Sequence, residues 1–219
     1  MEIEFWQQRW HLDQTGFHLP TVNPYLVSLF KKFNIVLPSQ IFIPLCGKSL
    51  DISWLASHDY SVLGVECSEK AIREFFQEQN IEPEIKNISN FQSYHTKNIQ
   101  LLQGDFFDLD QKILKDVSLV YDRASLIALP SDKRKKYVKL LNNILPDTAA
   151  ILLITLDYDQ NVMAGPPFSV NGAEVNQLYQ DNYTIELLHE EDVIEGHQNF
   201  KQRGLEYLYE RVYKISLKI

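Results

Sequence analysis

Apolar residues follow two periodicities along the chain, and each periodicity predicts a different kind of element. Short unbroken apolar runs are typical of buried strands, whereas apolar residues three or four apart are typical of helices with one buried face. The predicted buried strands are Ile41–Pro44, Ser61–Val65, Ile99–Leu102, Val117–Tyr121 and Ala149–Leu156. Helical patterns separate the strands up to about residue 145, so we expect an α/β fold with a mainly parallel sheet. Tyr183–His189 and Leu205–Ile215 alternate between apolar and polar residues and predict a closing antiparallel pair.

The segment Ile41–Asp51 is the centre of this pattern. Its apolar run stops at a turn around Gly47, and a helix follows directly, with Ser49 as its expected N-cap. The next strand ends at Glu66, 19 positions after Gly47. Strand, glycine turn, helix, strand and acid are typical of a Rossmann-like unit, in which the acid binds ribose hydroxyls. Because G-x-G-x-x-G is absent, the sequence favours a nucleoside without a pyrophosphate.

Polar residues also follow the later strands. Asp105 and Phe106 come after the third strand, where an adenine base is commonly bound, although Gly104-Asp105 is also an ordinary turn sequence. Asp122 and Arg123 come after the fourth strand, either as part of a ligand crevice or as an ion pair that holds a loop. Gly165-Pro166-Pro167-Phe168 predicts a rigid loop outside the sheet that can wall a substrate pocket.

Residues 1–35 form an N-terminal segment that is rich in aromatic residues. Trp6 and Trp10 are four apart, so a helix places both indoles on one face, and Phe17 lies in the loop that follows. This helix either packs on the domain or acts as a lid over a ligand.

Composition narrows the class of protein. The chain has 219 residues, of which 45% are hydrophobic, which suits one domain over residues 1–219. A net charge of −8 makes nucleic acid an unexpected partner, and we expect the basic run Lys133–Lys136 to face solvent on a helix. The N-terminus lacks signal-peptide features, and no stretch has the apolar length of a membrane span.

The cysteines indicate a reducing compartment. Cys46 and Cys67 have the spacing of neither a disulfide framework nor a zinc site, so we expect a cytoplasmic protein without a bound metal. Cys46 lies inside the central turn, and we interpret it as a small packing residue rather than a nucleophile. We also expect a monomer, because the pattern predicts neither an exposed apolar heptad nor a long edge strand.

Several short segments make a more specific comparison possible. They are Phe5-Trp6-Gln7-Gln8-Arg9-Trp10, Pro44-Leu45-Cys46-Gly47-Lys48, Val65-Glu66-Cys67-Ser68-Glu69, Gly104-Asp105-Phe106-Phe107, Asp122-Arg123-Ala124 and Gly165-Pro166-Pro167-Phe168. In this order the chain resembles the thiopurine S-methyltransferase family, from about residue 5 to residue 213. The resemblance implies a Rossmann-like class I methyltransferase fold: a seven-stranded, mostly parallel sheet with one antiparallel strand, sandwiched by helices, with an N-terminal helical lid. It also implies methyl transfer from S-adenosylmethionine, leaving S-adenosylhomocysteine, to the thiol or selenol of a small aromatic or heterocyclic acceptor.

The resemblance also assigns roles to residues. The implied donor-site residues are Trp6, Trp10, Phe17, Leu45, Gly47, Glu66, Asp105, Phe106 and Arg123. The implied acceptor-site residues are Phe17, Arg123, Pro167 and Phe168. We hypothesise that Arg123 stabilises the anionic acceptor during catalysis, while Asp122 orients Arg123 or the donor.

Three alternatives stay open on the sequence. One is a methyltransferase of the same fold that acts on inorganic selenium or tellurium species, a halide or an amine. Another is a non-enzymatic nucleoside-binding module, and the third is a dehydrogenase-like nucleotide enzyme. A single Gly47 where a dehydrogenase has several glycines disfavours the last of these.

Overall fold

The computed structural model of the protein describes residues 3–218; Met1, Glu2 and Ile219, which belong to the expected domain 1–219, lie outside the described residues. The helices are α1 (Ile3–His11), α2 (Pro24–Leu29), α3 (Leu50–Ser57), α4 (Glu69–Glu78), α5 (Gln111–Leu114), α6 (Ser131–Ile144), α7 (Gly172–Tyr179) and α8 (Gln198–Lys201). The strands are β1 (Gln40–Ile43), β2 (Ser61–Glu66), β3 (Glu84–Ile88), β4 (Phe91–His95), β5 (Ile99–Gln103), β6 (Val117–Arg123), β7 (Ala150–Asp157), β8 (Tyr183–Asp192) and β9 (Tyr209–Leu217).

Backbone contacts divide the chain into two compact units, of which the first runs to Tyr121 and includes Ile144–Pro146. In this unit β1 pairs in parallel with β2 and with β6, and β2 pairs in parallel with β5. The carboxyl ends of parallel strands meet at the same edge of a sheet. The residues that follow β1, β2 and β5 are therefore brought to one place.

The second unit comprises Asp122–Asn143 and Asp147–Ile219. Its strands β7, β9 and β8 pair antiparallel, β9 lying between the other two. The buried run Ile151–Leu156 supplies the apolar core of this unit, since its side chains are covered on both faces.

The α/β architecture with a parallel core is confirmed, but two details of the expected sheet are wrong. The described residues 3–218 contain nine strands rather than seven, and antiparallel pairing involves β3–β4–β5 in the first unit and β7–β9–β8 in the second rather than one strand. The two strands missing from the expected count, β3 and β4, lie in the segment 80–98, whose polar pattern fits a surface loop equally well. Four of the five residues of β3 are exposed, so this strand has no apolar face to reveal it.

A long edge strand is the other difference from the expectation. The strand β8 has ten residues and pairs with β9 alone, at one end of the strand order. The sequence pattern did not predict an edge strand of this length. That part of the argument for a monomer is therefore wrong, while the monomer itself stays a prediction.

Side-chain caps begin α2, α3 and α4, among them the expected cap of α3 by Ser49. Asn23 accepts hydrogen bonds from the backbone N–H groups of Tyr25 and Leu26, with Pro24 at the first helical position. Ser49 likewise accepts from Asp51 N–H at the start of α3, and Ser68 caps α4. These caps fix the points at which the chain leaves the turns after β1 and β2.

Candidate active site

The turn after β1 has a backbone that few side chains tolerate. Leu45 and Gly47 both have left-handed φ angles, 45° and 52°. The turn is fixed by a 3.0 Å hydrogen bond from Cys46 N–H to the carbonyl oxygen of Val65 in β2. A Cβ atom on residue 47 would lie 2.9 Å from Cζ2 of Trp10, so the glycine is required by both conformation and space.

Glu66, at the end of β2, is tied to this turn. It is 5% exposed, and its Oε2 accepts a 2.9 Å hydrogen bond from Gly47 N–H. Its Oε1 accepts from Ser68 N–H at 2.8 Å, at the start of α4. Burial raises the pKa of the Glu66 carboxyl, although the hydrogen bonds from Ser68, Cys67 and Gly47 oppose this shift. Oε1 also accepts from the Cys67 thiol at 3.3 Å, so Oε2, which has one donor, is the oxygen that can accept a further hydrogen bond.

An open cavity lies at the start of α4, next to residues that contact Glu66. Its volume is about 440 Å³, and its lining includes Ser68, which contacts Glu66, and Gln103, which pairs with Glu66 across the sheet. The other lining residues are Gln7, Gln8, His11, Glu69 and Lys70. The buried carboxylate and the glycine turn have the arrangement that the sequence predicts for a nucleoside site, and binding of a nucleoside here stays a prediction.

Asp105 and Phe106 begin a short helical turn after β5. The Asp105 carboxylate accepts a 2.9 Å hydrogen bond from Phe107 N–H and caps this turn. The Phe106 ring is buried and stacks on Phe42 of β1, with 6.4 Å between the ring centroids. The ring is therefore part of the core, and the contact of these two residues with adenine stays a prediction.

The three aromatic residues of the expected N-terminal cover lie together. Phe17 makes edge-to-face contacts with Trp6 and Trp10, at centroid distances of 5.5 Å and 5.4 Å. Trp10 is 2% exposed and covers Gly47. The side chain of Gln7, which the sequence did not single out, donates a 3.2 Å hydrogen bond to the carbonyl oxygen of Cys67. The cover thus contacts both the turn after β1 and the turn after β2.

Cys46 is a packing residue, in agreement with its interpretation from the sequence. The side chain is buried, and a Cβ atom on Gly64 would lie 2.7 Å from its sulfur. Burial, assisted by the negative charge of Glu66, raises the pKa of the Cys46 thiol well above its usual range. The thiol is therefore neutral at physiological pH, and a neutral thiol is a weak nucleophile.

In the second unit, Asp122 is fully buried and holds the chain that follows β6. Its carboxylate accepts hydrogen bonds from the Tyr137 hydroxyl at 2.7 Å and from Leu126 N–H at 3.1 Å. Burial raises the pKa of this carboxyl, against the hydrogen bond from Tyr137. These contacts anchor the segment that begins at the half-buried Arg123, and they identify Tyr137 as a supporting residue that the sequence did not reveal.

The loop Gly165–Phe168 is held at several points, as its sequence predicts. The Tyr158 hydroxyl donates a 2.5 Å hydrogen bond to the carbonyl oxygen of Pro167. The backbone N–H of Phe168 donates to the carbonyl oxygen of Ile127 at 2.7 Å. Gly165 has a φ of 79°, and a Cβ atom there would lie 2.6 Å from the Phe168 ring. The loop is therefore fixed to its surroundings, and its contact with an acceptor stays a prediction.

The basic run Lys133–Lys136 does not face solvent throughout, so that expectation is wrong for Arg134. Lys135 and Lys136 are exposed, whereas Arg134 is 5% exposed. Its guanidinium donates to both carboxylate oxygens of Glu174, at 2.8 Å and 3.0 Å, and to the carbonyl oxygen of Leu129 at 2.7 Å. The same guanidinium lies 5.9 Å from the centroid of the Phe168 ring. Arg134 thus supports the loop Gly165–Phe168 through its contact with the Phe168 ring.

Comparison with known protein families shows to which enzyme family the chain belongs. The family model described as "Thiopurine S-methyltransferase" matches residues 1–218. The chain belongs to the thiopurine S-methyltransferase family. This membership confirms the methyltransferase class and S-adenosylmethionine as the methyl donor, and it makes the dehydrogenase-like alternative wrong.

Individual members of the thiopurine S-methyltransferase family are similar over the full length. The thiopurine S-methyltransferase of Pseudomonas paraeruginosa (strain DSM 24068 / PA7) is 46% identical over 216 residues, 99% of each chain. A probable thiopurine S-methyltransferase of Yarrowia lipolytica (strain CLIB 122 / E 150) is 47% identical over 218 residues, which cover 99% of this chain and 100% of that one.

A more distant solved structure shows the same fold. The Burkholderia thailandensis 1,6-didemethyltoxoflavin-N1-methyltransferase, crystallised with S-adenosylhomocysteine, superposes with a TM-score of 0.66 at 11% identity. The match covers 98% of this chain and 87% of that chain. It confirms the methyltransferase fold expected from the sequence.

Neither a membrane-spanning helix nor a metal-binding cluster is found in the described residues 3–218. None of the helices in this range is both long and apolar enough to cross a membrane. The same range contains no group of three or more histidine, cysteine, aspartate or glutamate side chains placed to hold a metal ion.

Proposed function

We propose that the protein transfers a methyl group from S-adenosylmethionine to the thiol or selenol of a small aromatic or heterocyclic acceptor. The observation that carries this proposal is the hydrogen bond between Gly47 N–H and the buried Glu66, covered by Trp10. Membership of the thiopurine S-methyltransferase family supports the interpretation of this arrangement as the nucleoside site.

The donor would be held by Glu66 at its ribose and by the backbone of Leu45 and Gly47 at its methionyl part. When bound, S-adenosylmethionine supplies a methyl group that its sulfonium has already activated. The protein's task is to position the acceptor sulfur in line with that methyl group, and alignment alone can lower a barrier by several kcal/mol. Trp10, lying over the turn, would exclude water from this centre.

We assign the acceptor to Arg123 and to the aromatic surface of Phe168, beside Pro167. The reactive form of a thiol is its thiolate, which a guanidinium stabilises by a charge-assisted hydrogen bond. Heterocyclic thiones ionise easily, so a strong general base is unnecessary in this scheme. Asp122 would act at a distance, by anchoring the segment that follows Arg123.

An acceptor panel with methyl-labelled S-adenosylmethionine tests the proposal. The panel contains an aromatic thiol, a heterocyclic thione, selenite, iodide and an aromatic amine. We expect label on the thiol and on the thione. Label on selenite or iodide alone would support the inorganic alternative instead. Binding of S-adenosylhomocysteine without any methyl transfer would contradict an enzymatic role.

Replacing Arg123 with alanine tests its assigned role. With donor and acceptor both saturating, we expect kcat for a heterocyclic thione to fall about a hundredfold, as when a preorganised donor is removed from an anion site. Lys139→Ala, which removes an exposed cation from α6, serves as the control and should retain kcat. Full activity of the Arg123 variant would contradict the assignment.

The remaining proposals concern the state of the protein in the cell. We propose that residues 1–219 work as one methyltransferase domain, as a monomer in the cytoplasm. Both Cys46 and Cys67 are free thiols, which supports a reducing compartment.

A further inference from the structure

Lys70, in the first turn of α4, is bonded to the N-terminal cover. Its Nζ donates a 2.9 Å hydrogen bond to the carbonyl oxygen of Trp10, and it pairs with the Asp13 carboxylate at 2.5 Å. Glu74, one turn along α4, lies 3.4 Å from the same Nζ. A single cation therefore connects the helix after Glu66 to the end of α1.

The position of this contact on α1 is favourable for a cation. The last carbonyl groups of a helix lack partners within the helix and carry its negative end. Trp10 is the residue before the last one of α1, so the ammonium of Lys70 binds one of these carbonyls. The hydrogen bond with Asp13 raises the pKa of Lys70, in keeping with an ammonium that pairs with a carboxylate.

The same tryptophan has two contacts with different consequences. Its carbonyl is bound by Lys70, while its indole lies against Gly47 in the donor turn. A ligand that approaches this turn must share space with the indole or displace it. Whatever holds the backbone of Trp10 therefore also resists the opening of the donor site.

We propose that Lys70 is a positioning residue that latches Trp10 over the Gly47 turn and thereby sets how fast the nucleoside product leaves. The latch is defined by Lys70, Trp10 and Asp13. It rests on the proposed function, because the product is taken to be S-adenosylhomocysteine. Lys70 acts through Trp10 and touches no reacting atom.

The test measures the release of S-adenosylhomocysteine in the absence of any acceptor. Stopped-flow tryptophan fluorescence follows release when an excess of S-adenosylmethionine displaces the product. We expect Lys70→Met to raise the release rate about tenfold, since a charge-assisted hydrogen bond is lost. Lys70→Arg, which keeps the cation, should stay within about threefold of the wild type.

Arg73→Met is the matched control. It removes one positive charge from the same helix, where Arg73 pairs with Glu69 and lies over Tyr94. We expect its release rate to equal that of the wild type within about twofold, the usual range for an exposed pair. An equal rise in Arg73→Met and Lys70→Met would overturn the latch, because it would reflect the charge of α4 alone.

Steady-state kinetics distinguish the latch from a purely structural role of Lys70. In Lys70→Met the KM for S-adenosylmethionine should rise while kcat is not lowered, because opening is easier and chemistry is unchanged. Should Lys70→Met not fold, Lys70→Gln replaces it with the same expected results. An unchanged release rate in a folded variant overturns the latch alone, whereas a wild type that does not bind S-adenosylhomocysteine contradicts the proposed function.

Discussion

Replacing Glu66 with glutamine is expected to raise the Kd for S-adenosylhomocysteine about a hundredfold. Hydrogen bonds to a charged group contribute about 1.5–3 kcal/mol each, and a tenfold change in Kd corresponds to about 1.4 kcal/mol. The variant loses more than the charge. Glu66 accepts from Gly47 N–H with one oxygen and from Ser68 N–H with the other, and an amide has only one oxygen for these two donors.

Titration calorimetry with S-adenosylhomocysteine measures this change directly. Glu78→Gln is the matched control, because it removes one carboxylate from the exposed end of α4, where Glu78 pairs with Lys48. The control should bind the product as the wild type does. Equal affinity of the Glu66 variant and the wild type would show that the ribose is held elsewhere.

Replacing Arg134 with methionine is expected to lower the free energy of unfolding by about 3 kcal/mol. Removing one partner of a buried ion pair leaves the other charge without compensation, which typically costs about 3–5 kcal/mol. We expect the lower end of this range because the side chain of Glu174 is 23% exposed, so solvent can partly compensate its unpaired charge. Arg134→Lys should recover little of the loss, since an ammonium cannot bind both carboxylate oxygens in the geometry of a guanidinium.

Urea denaturation of Arg134→Met and of Lys135→Met makes the comparison at neighbouring positions. Lys135 is exposed, so its replacement should change the unfolding free energy by no more than about 0.5 kcal/mol. A double variant, Arg134→Met with Glu174→Leu, should be more stable than Arg134→Met alone, because no unpaired charge remains. Equal losses at positions 134 and 135 would contradict the account of the buried pair.

The structure around the Gly47 turn and Glu66 was largely predictable because its signals are local in the sequence. A buried strand, a glycine turn and a capped helix are each specified by a few adjacent residues, and Glu66 directly ends the next strand. The left-handed φ at Gly47 follows from the turn, but the second reason for a glycine does not. Contact with Trp10 joins residues that are 37 positions apart, so only the folded chain reveals it.

The helical spacing of Arg134 indicates that its side chain is buried, but the adjacent lysines obscured this pattern. In a helix it shares a face with Tyr137, Val138 and Leu141, which are three, four and seven positions ahead and all buried. The run of adjacent lysines suggested a solvated surface instead. For residues 80–98 the sequence left a hairpin and a surface loop equally open, since the mostly exposed β3 carries no apolar alternation.

The edge strands β3 and β8 affect whether the protein associates with itself at high concentration. An exposed edge strand offers free backbone groups to a second chain and can template aggregation. Here β8 carries exposed glutamates at positions 186, 190 and 191, and β3 carries Glu84 and Lys86. Two copies approaching through β8 would bring rows of like charge together in a chain whose net charge is already −8. The long edge therefore carries its own protection against self-association.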